Sequence, residues 1–445
     1  MSGSLADPRS VAIEIVSVLR AGGHVAYLAG GCVRDELLGL APKDYDVATD
    51  ATPGRVVELF RSLAGFRSVE VGVSFGVVLV RRRGVATEVA TFREDGPYED
   101  KRRPGSVTFS TPEADAKRRD FTVNALFLEV EGTGDRRSAI GGASWIASEA
   151  PAGVIDFVGG VADLRAGVIR AVGEPAARLA EDHLRALRAV RFACRLGFEI
   201  EAGTAHAIRA HASELAGVSR ERIGDEVRRM MTMVGGGSGS TAGGRGRAAR
   251  LLSTLGLDRP IFGASVEATE GGLLDAPVEM AYPVALAAWA IDRGLDPRDA
   301  GRRGEMASAW RRALCLTNQE RDGLAGTLRD LAGLLTDWFE KGVAAQKRGA
   351  ASPTFGGAMT LFALLSPEGA GGAQERLDEL AGIGGGLWPE PLIDGDRLIA
   401  MGMRPGPVFG ALLARVYDAQ LEGRIGTAAE AESMARELSG SGGVE

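Results

Sequence analysis

Cysteine is scarce in this 445-residue chain: Cys32, Cys194 and Cys315 are scattered, odd in number and without the short spacings of a metal site. That argues against a disulfide framework or a zinc module and makes a reducing cytoplasm the expected compartment. Long apolar runs are missing as well. No stretch approaches the ~18 uninterrupted apolar residues that a membrane-spanning helix requires, so no membrane partner is expected. Residues 1–20 have neither a basic start ahead of a long apolar run nor a small-residue cleavage site, so no secretory signal is expected. A basic excess is lacking too, since the formal net charge is -7. Phosphate backbones select for basic surfaces, so any nucleic-acid partner would have to meet local patches. Such patches exist at Arg81 to Arg83, Lys101 to Arg103, Lys117 to Arg119 and among the arginines from Arg185 to Arg195, whereas the last quarter is acid-leaning.

What is present is the composition of a globular protein, 45% apolar and 25% charged, long enough for several compact units. The 63 glycines follow no period and mark turns and linkers. Apolar spacing predicts a helix over 11–20, a strand over 25–29 running into Gly30-Gly31, a helix from Val33 to Leu38 and a strand from Tyr45 to Ala48. Further strands are expected at 69–73, 77–81, 86–91 and 122–129, with a helix at 53–63. This mixed α/β region spans residues 1–150. Helices follow over 151–233, with segments at 175–196, 202–211 and 221–233. Residues 234–247 are Gly-, Ser- and Thr-rich and read as a linker or loop, 248–438 as a further helical region and 439–445 as a disordered tail.

Asp44 and Asp46 flank Tyr45 in a segment that reads as a strand, where positions two apart share a face. Paired carboxylates are costly unless a cation neutralises them, and hard divalent ions such as Mg²⁺ take oxygen ligands. An isolated Asp-x-Asp is more often a solvated turn, so its surroundings decide. Leu28-Ala29-Gly30-Gly31-Cys32-Val33-Arg34-Asp35 places adjacent glycines between a strand and a helix, where backbone amides can approach a phosphate and Arg34 can add a bidentate contact. Asp35 there would complement the helix dipole. Glu88, on a candidate neighbouring strand, could bring a third carboxylate to the same edge and is a candidate catalytic residue.

Two arginine-rich segments follow. Arg118-Arg119-Asp120-Phe121-Thr122-Val123-Asn124-Ala125 takes a basic loop into a core element. From Glu181 to Phe192, a single helix would set Asp182 beside Arg185, with Arg188 and Arg191 continuing the row and Leu187, Val190 and Cys194 facing the core. A carboxylate beside a guanidinium offers the acceptor and donors that reading a base edge requires.

In this order, the glycine turn with Arg34, the Asp44/Asp46 pair, residues 118–125, residues 156–170 with Gly159-Gly160 and Asp163-Leu164, the Asp182 segment, and Glu221-Arg222-Ile223 with Glu226 resemble the class II CCA-adding tRNA nucleotidyltransferase and bacterial poly(A) polymerase superfamily. The resemblance covers about the first half of the chain. It implies an α+β fold: an N-terminal nucleotidyltransferase head with a mixed or antiparallel sheet over 1–150, then an all-α neck with base recognition over 151–233, and a tRNA-binding body and tail over 248–438. It implies metal binding by Asp44 and Asp46 with two Mg²⁺ ions. Nucleotide binding would fall to Gly30, Gly31, Arg34, Arg119, Asp120 and Asn124, and base reading to Asp182, Arg185, Arg188 and Arg191. The implied reaction is template-independent addition of C, C and A to the tRNA 3′ end from CTP and ATP, releasing pyrophosphate. Poly(A) synthesis, or C-only or A-only addition, are alternatives within the superfamily, and an RNA-binding protein with a degenerate head is an alternative outside it. Residues 94–107 sit where the family has a flexible loop implicated in nucleotide switching. No histidine follows His211, so the His/Asp phosphohydrolase module of some relatives cannot be built there. RNA-contacting residues and oligomeric state are not legible.

Overall fold

The computed structural model describes residues 7–72, 76–96, 106–130, 151–233, 244–264, 266, 271–406 and 408–440. Helix α1 (Pro8–Ala21) starts where the Asp7 carboxylate accepts the Ser10 amide, with proline in its first turn, and it buries Val11, Ile15 and Leu19. Strand β1 (Ala26–Ala29) ends at Gly30, whose φ of 76° turns the chain into helix α2 (Gly31–Leu37). Strand β2 (Asp46–Thr49), helix α3 (Pro53–Arg61) and strands β3 (Phe66–Gly72), β4 (Val77–Arg82) and β5 (Val85–Thr91) follow. Strands β6 (Arg93–Asp95) and β7 (Val107–Phe109) form a separate antiparallel ribbon ahead of helix α4 (Pro112–Lys117).

Strands β8 (Phe127–Leu128) and β9 (Val154–Ile155) complete a seven-stranded sheet of order β3-β4-β5-β2-β1-β8-β9. Only the β2–β5 neighbours run parallel and the rest are antiparallel, so the sheet is mixed, as expected. On one face Phe92 and Phe127 meet edge to face at 5.9 Å amid Ala29, Ala48, Ala116, Ala125 and Val172. The small alanines let the sheet and α4 close on the two rings.

Beyond the sheet come α5 (Gly160–Ala166), β10 (Val168–Ile169), α6 (Pro175–Glu181), α7 (Leu184–Leu196), β11 (Glu199–Ile200), α8 (Ala202–Ala210) and α9 (Arg220–Met231). The turn into α5 is held by one side chain. Asp156 accepts the amides of Val158, Gly159, Gly160 and Val161 at 2.9–3.0 Å. Glycine is required at 160, since a Cβ there would lie 2.3 Å from the Thr122 carbonyl oxygen.

The chain separates into two compact units, the first taking in the described residues among 1–226 and 251–265, the second those among 227–235, 244–250 and 266–445. No unit boundary falls near 150: the described residues among 1–226 fall in one unit, and 227–233 go with the other. Helices α10 (Arg245–Thr254) and α11 (Asp258–Phe262) precede a run of nine helices in the described residues of the second unit: α12 (Tyr282–Asp292), α13 (Ala300–Leu314), α14 (Asn318–Thr336), α15 (Val343–Ala350), α16 (Phe355–Leu365), α17 (Pro367–Ala381), α18 (Gly395–Ala400), α19 (Val408–Leu421) and α20 (Ala428–Gly440). Trp289 and Trp310 meet edge to face at 5.5 Å in this unit, and a Thr317–Glu320 capping box starts α14. Among the described residues no helix is long and apolar enough to cross a membrane.

Several expectations are corrected. The strand expected over 122–129 is instead a 3₁₀ turn at Thr122–Asn124 followed by the short β8, because the Asn124 and Ala125 amides bond back to Phe121 and Thr122. The helix expected over 175–196 breaks at Asp182, whose extended backbone ends α6. The linker assigned to 234–247 ends earlier, since Arg245 already begins α10, while 234–243 lie outside the described residues. Ser439 and Gly440 belong to α20, and the remainder of the expected tail lies outside the described residues, as do 97–105 of the proposed switching loop and 131–150.

Candidate active site

The alternation expected around Tyr45 holds: Tyr45 is buried, whereas Asp44 and Asp46 are exposed. Only Asp46 lies within β2; Asp44 belongs to the loop before it. In the parallel β2–β5 pairing Val47 faces Val89, which sets Asp46 and Glu88 at adjoining positions. Asp46 keeps an open side to solvent, yet the protein around it and then the Glu88 carboxylate push its pKa up to about 6, Arg119 pulls it down, and Asp44 adds to the rise. Mutual repulsion of this kind is what a bound cation relieves, and the donors are all hard oxygens, so the residues fit a divalent ion. Among the described residues no group of three or more His, Cys, Asp or Glu converges as a metal site. Glu88 stands at the same sheet edge, close enough for its charge to act on Asp46.

Beside this edge lies the glycine turn. The Gly30 amide is tied to the Leu126 carbonyl at 2.8 Å. A Cβ at Gly30 would come within 2.6 Å of Arg119 Nη1, and one at Gly31 within 3.6 Å of Arg34 Nη2, so two guanidinium groups close on a turn that carries no side chains. Arg119 is itself held by Asp115 at 3.0 Å and donates to the Asn124 carbonyl at 3.1 Å. Burial opposes the ionised Asp115, but Arg119 and Arg118 win and hold its pKa below the usual carboxylate range.

Arg34 differs from expectation. It is buried at 2% exposure, donates to Asp35 Oδ1 from Nε and Nη2 at 2.8 and 2.6 Å, and bonds through Nη1 to the Asn124 side chain. Its charge sits beneath the turn. Asp35, expected only to complement a helix dipole, is likewise buried and also accepts Arg195 Nη2 at 2.7 Å.

The chain of contacts continues from Asn124, whose amide donates to Asp120 at 3.1 Å, to Arg188, which donates to Asp120 Oδ2 at 2.6 and 2.8 Å. Burial alone would raise the Asp120 pKa; Arg188 and Asn124 overcome it and hold it at about 2. Arg191 donates to Glu226 at 2.5 Å. Arg34, Arg188 and Arg191 all lie within 5.4 Å of the Phe192 ring centre, so one aromatic organises the strip. Leu187, Val190 and Cys194 are fully buried on the opposite side of α7, as expected.

Asp182 and Arg185 are not paired. Asp182 accepts Arg222 through both oxygens, at 2.6 and 3.2 Å, and the Leu184 amide at 3.1 Å. Arg185 donates to the Arg178 carbonyl at 2.7 Å and pairs with Glu181.

The comparisons with known proteins follow this geometry. Residues 26–170 match the poly A polymerase head domain, and residues 197–234 match the probable RNA- and SrmB-binding site of polymerase A. The CCA-adding enzyme of Latilactobacillus sakei is 41% identical over 221 residues, 49% of this chain and 49% of its own length. That of Bacillus pumilus is 40% identical over 226 residues, 51% of this chain and 50% of its own length. About the first half of the chain is thus similar to CCA-adding enzymes, and residues 26–170 within it to the poly A polymerase head domain. The matched stretch spans about half the length of these curated relatives. In structure the likeness extends further: the Bacillus stearothermophilus CCA-adding enzyme in complex with CTP is similar at a TM-score of 0.73 and 28% identity, covering 98% of this chain and 99% of that one. The Thermotoga maritima CCA-adding enzyme complexed with tRNA shares the fold at a TM-score of 0.63 and 19% identity, over 98% and 97% of the two chains.

Three residues of this site, Asp115, Arg178 and Arg195, were not singled out by the sequence. Asp115 anchors Arg119, and Arg178 reaches the carbonyls of Lys117, Arg118 and Val172. The signal for Asp115 was weak but present, since it stands in α4, four residues before Arg119. Nothing in the sequence marks Arg195 as the partner of a residue 160 positions away.

Proposed function

We propose that this protein adds C, C and A to the 3′ end of tRNA, taking CTP and ATP and releasing pyrophosphate without a nucleic-acid template. The observation that carries the reading is one edge where Asp44 and Asp46 stand beside the Gly30-Gly31 turn, with Arg119 closing on that turn. Likeness to CCA-adding enzymes over the first half, and in fold over nearly the whole chain, supports it. Asp44 and Asp46 would hold two Mg²⁺ ions, which when bound supply an activated hydroxyl and neutralise phosphate charge.

The remaining work falls to this chain's own groups. The Gly31 amide and Arg119 bind the triphosphate, with Arg34 contributing charge from beneath the turn and holding Asn124 in place. Asp120 and Asn124 position the nucleotide sugar and base between head and α7. Glu88 keeps the edge acidic and raises the demand for a cation. Asp182 and Arg185 read the base edge, exchanging Arg222 and Glu181 for it, while Arg188 and Arg191 support them. A cytoplasmic site of action goes with this reading.

Replacing Asp44 and Asp46 together by alanine should lower pyrophosphate release by at least roughly three orders of magnitude, a loss of several kcal/mol of charge stabilisation, with circular dichroism and tRNA affinity retained. Retained turnover would refute the assignment. Absence of turnover in the native protein with RNA and all four nucleotides would favour a binding protein with an inactive head.

A further inference from the structure

Between the two exposed aspartates stands a side chain that the reaction does not use. Tyr45 is 6% exposed, and its hydroxyl donates to Glu36 Oε1 at 2.7 Å. Glu36, on the same short helix as Arg34 and Asp35, is buried and accepts Arg9 Nε of α1 at 2.6 Å on that same oxygen, with Arg9 Nη2 at 3.4 Å from the other. Arg9 is 3% exposed. Two helices and the lead into β2 thus meet at one carboxylate oxygen: α1 through Arg9, α2 through Glu36, and the lead through Tyr45, the residue just before β2. The segment from Leu38 to Tyr45 returns the chain from α2 to β2 without regular structure, and the amides of its first residues bond back to Arg34, Asp35 and Glu36. Asp44 lies at its far end, next to the Tyr45 anchor.

We propose that the Arg9–Glu36–Tyr45 clamp positions the Asp44 and Asp46 carboxylates for cation binding, with Tyr45 as a positioning residue that never touches the ion. A loop of this length leaves Asp44 many backbone conformations; pinning the next residue to a buried ion pair removes most of them before any ion arrives. Groups that orient metal-binding carboxylates from behind commonly change affinity by about 10-fold or more when removed. Because Glu36 shares α2 with the glycine turn, the clamp also fixes the spacing between the carboxylates and the phosphate cradle. The inference rests on the proposed role of Asp44 and Asp46.

The test uses full-length protein and Mn²⁺, with free ion counted by electron paramagnetic resonance and the Mg²⁺ dependence of nucleotide incorporation measured alongside. Tyr45→Phe keeps the ring in its pocket and deletes only the hydroxyl. It should weaken Mn²⁺ binding by about 10-fold and raise the Mg²⁺ concentration for half-maximal rate by a similar factor, while the rate at saturating Mg²⁺ returns to near the native value. Arg9→Lys keeps a charge on Glu36 and should shift both readouts in the same direction by less. Unchanged Mn²⁺ affinity in Tyr45→Phe, with the Asp46→Ala control losing binding, overturns the clamp alone. Mn²⁺ affinity equal in native protein and Asp46→Ala overturns the site assignment beneath it.

Discussion

Arg185 occupies a buried position with its guanidinium turned to Glu181 and the Arg178 carbonyl, and Asp182 is held by Arg222. Asp182 is thus an acceptor held by a donor, and Arg185 a donor held by acceptors. Arg185→Ala should reduce discrimination between CTP or ATP and the other nucleotides by about ten-fold or more, the worth of a good bidentate base contact, while the Mg²⁺ dependence stays unchanged. Competition assays with UTP and GTP measure this directly; unchanged discrimination would place base selection elsewhere. At this scale the sequence was informative where chemistry is local. Asp44, Asp46 and the glycine turn could be read because two-residue alternation and the lack of a Cβ are properties of neighbours in the chain. The burial of Arg34 against Asn124 and Phe192 was not legible, since it is set by residues 90 and more positions distant.

Helix α7 is held by a ladder of charges as well as by its apolar face. Asp120 is its first rung, and both Arg188 contacts to that carboxylate span 68 residues. Asp120→Asn removes the charge but keeps the shape, leaving Arg188 with Glu226 at 3.9 Å. The expected loss is about 2 kcal/mol, below the ~3–5 of a fully buried pair because the Arg188 side chain is 32% exposed. The Asp120 pKa is held at about 2, below its unfolded value. Its contribution to stability is therefore complete above the unfolded value and is lost as pH falls toward 2. Denaturant midpoints of the native and variant proteins should differ at pH 7 and converge near pH 2; a difference independent of pH would exclude the ion pair as its source. The break at Asp182 shows why element boundaries escaped the sequence. Leu179, Leu184, Leu187 and Val190 keep a helical rhythm across it, whereas what stops the helix is an aspartate captured by Arg222, 40 residues further on.

Across the whole chain, the mixed sheet was legible from strand alternation and the helical remainder from its periodicity, but the merging of the described residues among 1–226 into one compact unit was not. Contacts such as Arg195 to Asp35 and Arg191 to Glu226 knit that unit, and no composition change marks them. The most direct test supplies purified protein with tRNA ending at the discriminator base and resolves the product lengths. CTP alone should extend the strand by two nucleotides and stop, and subsequent ATP should add one and stop. A lengthening run from ATP alone, or no extension under any combination, would contradict CCA addition.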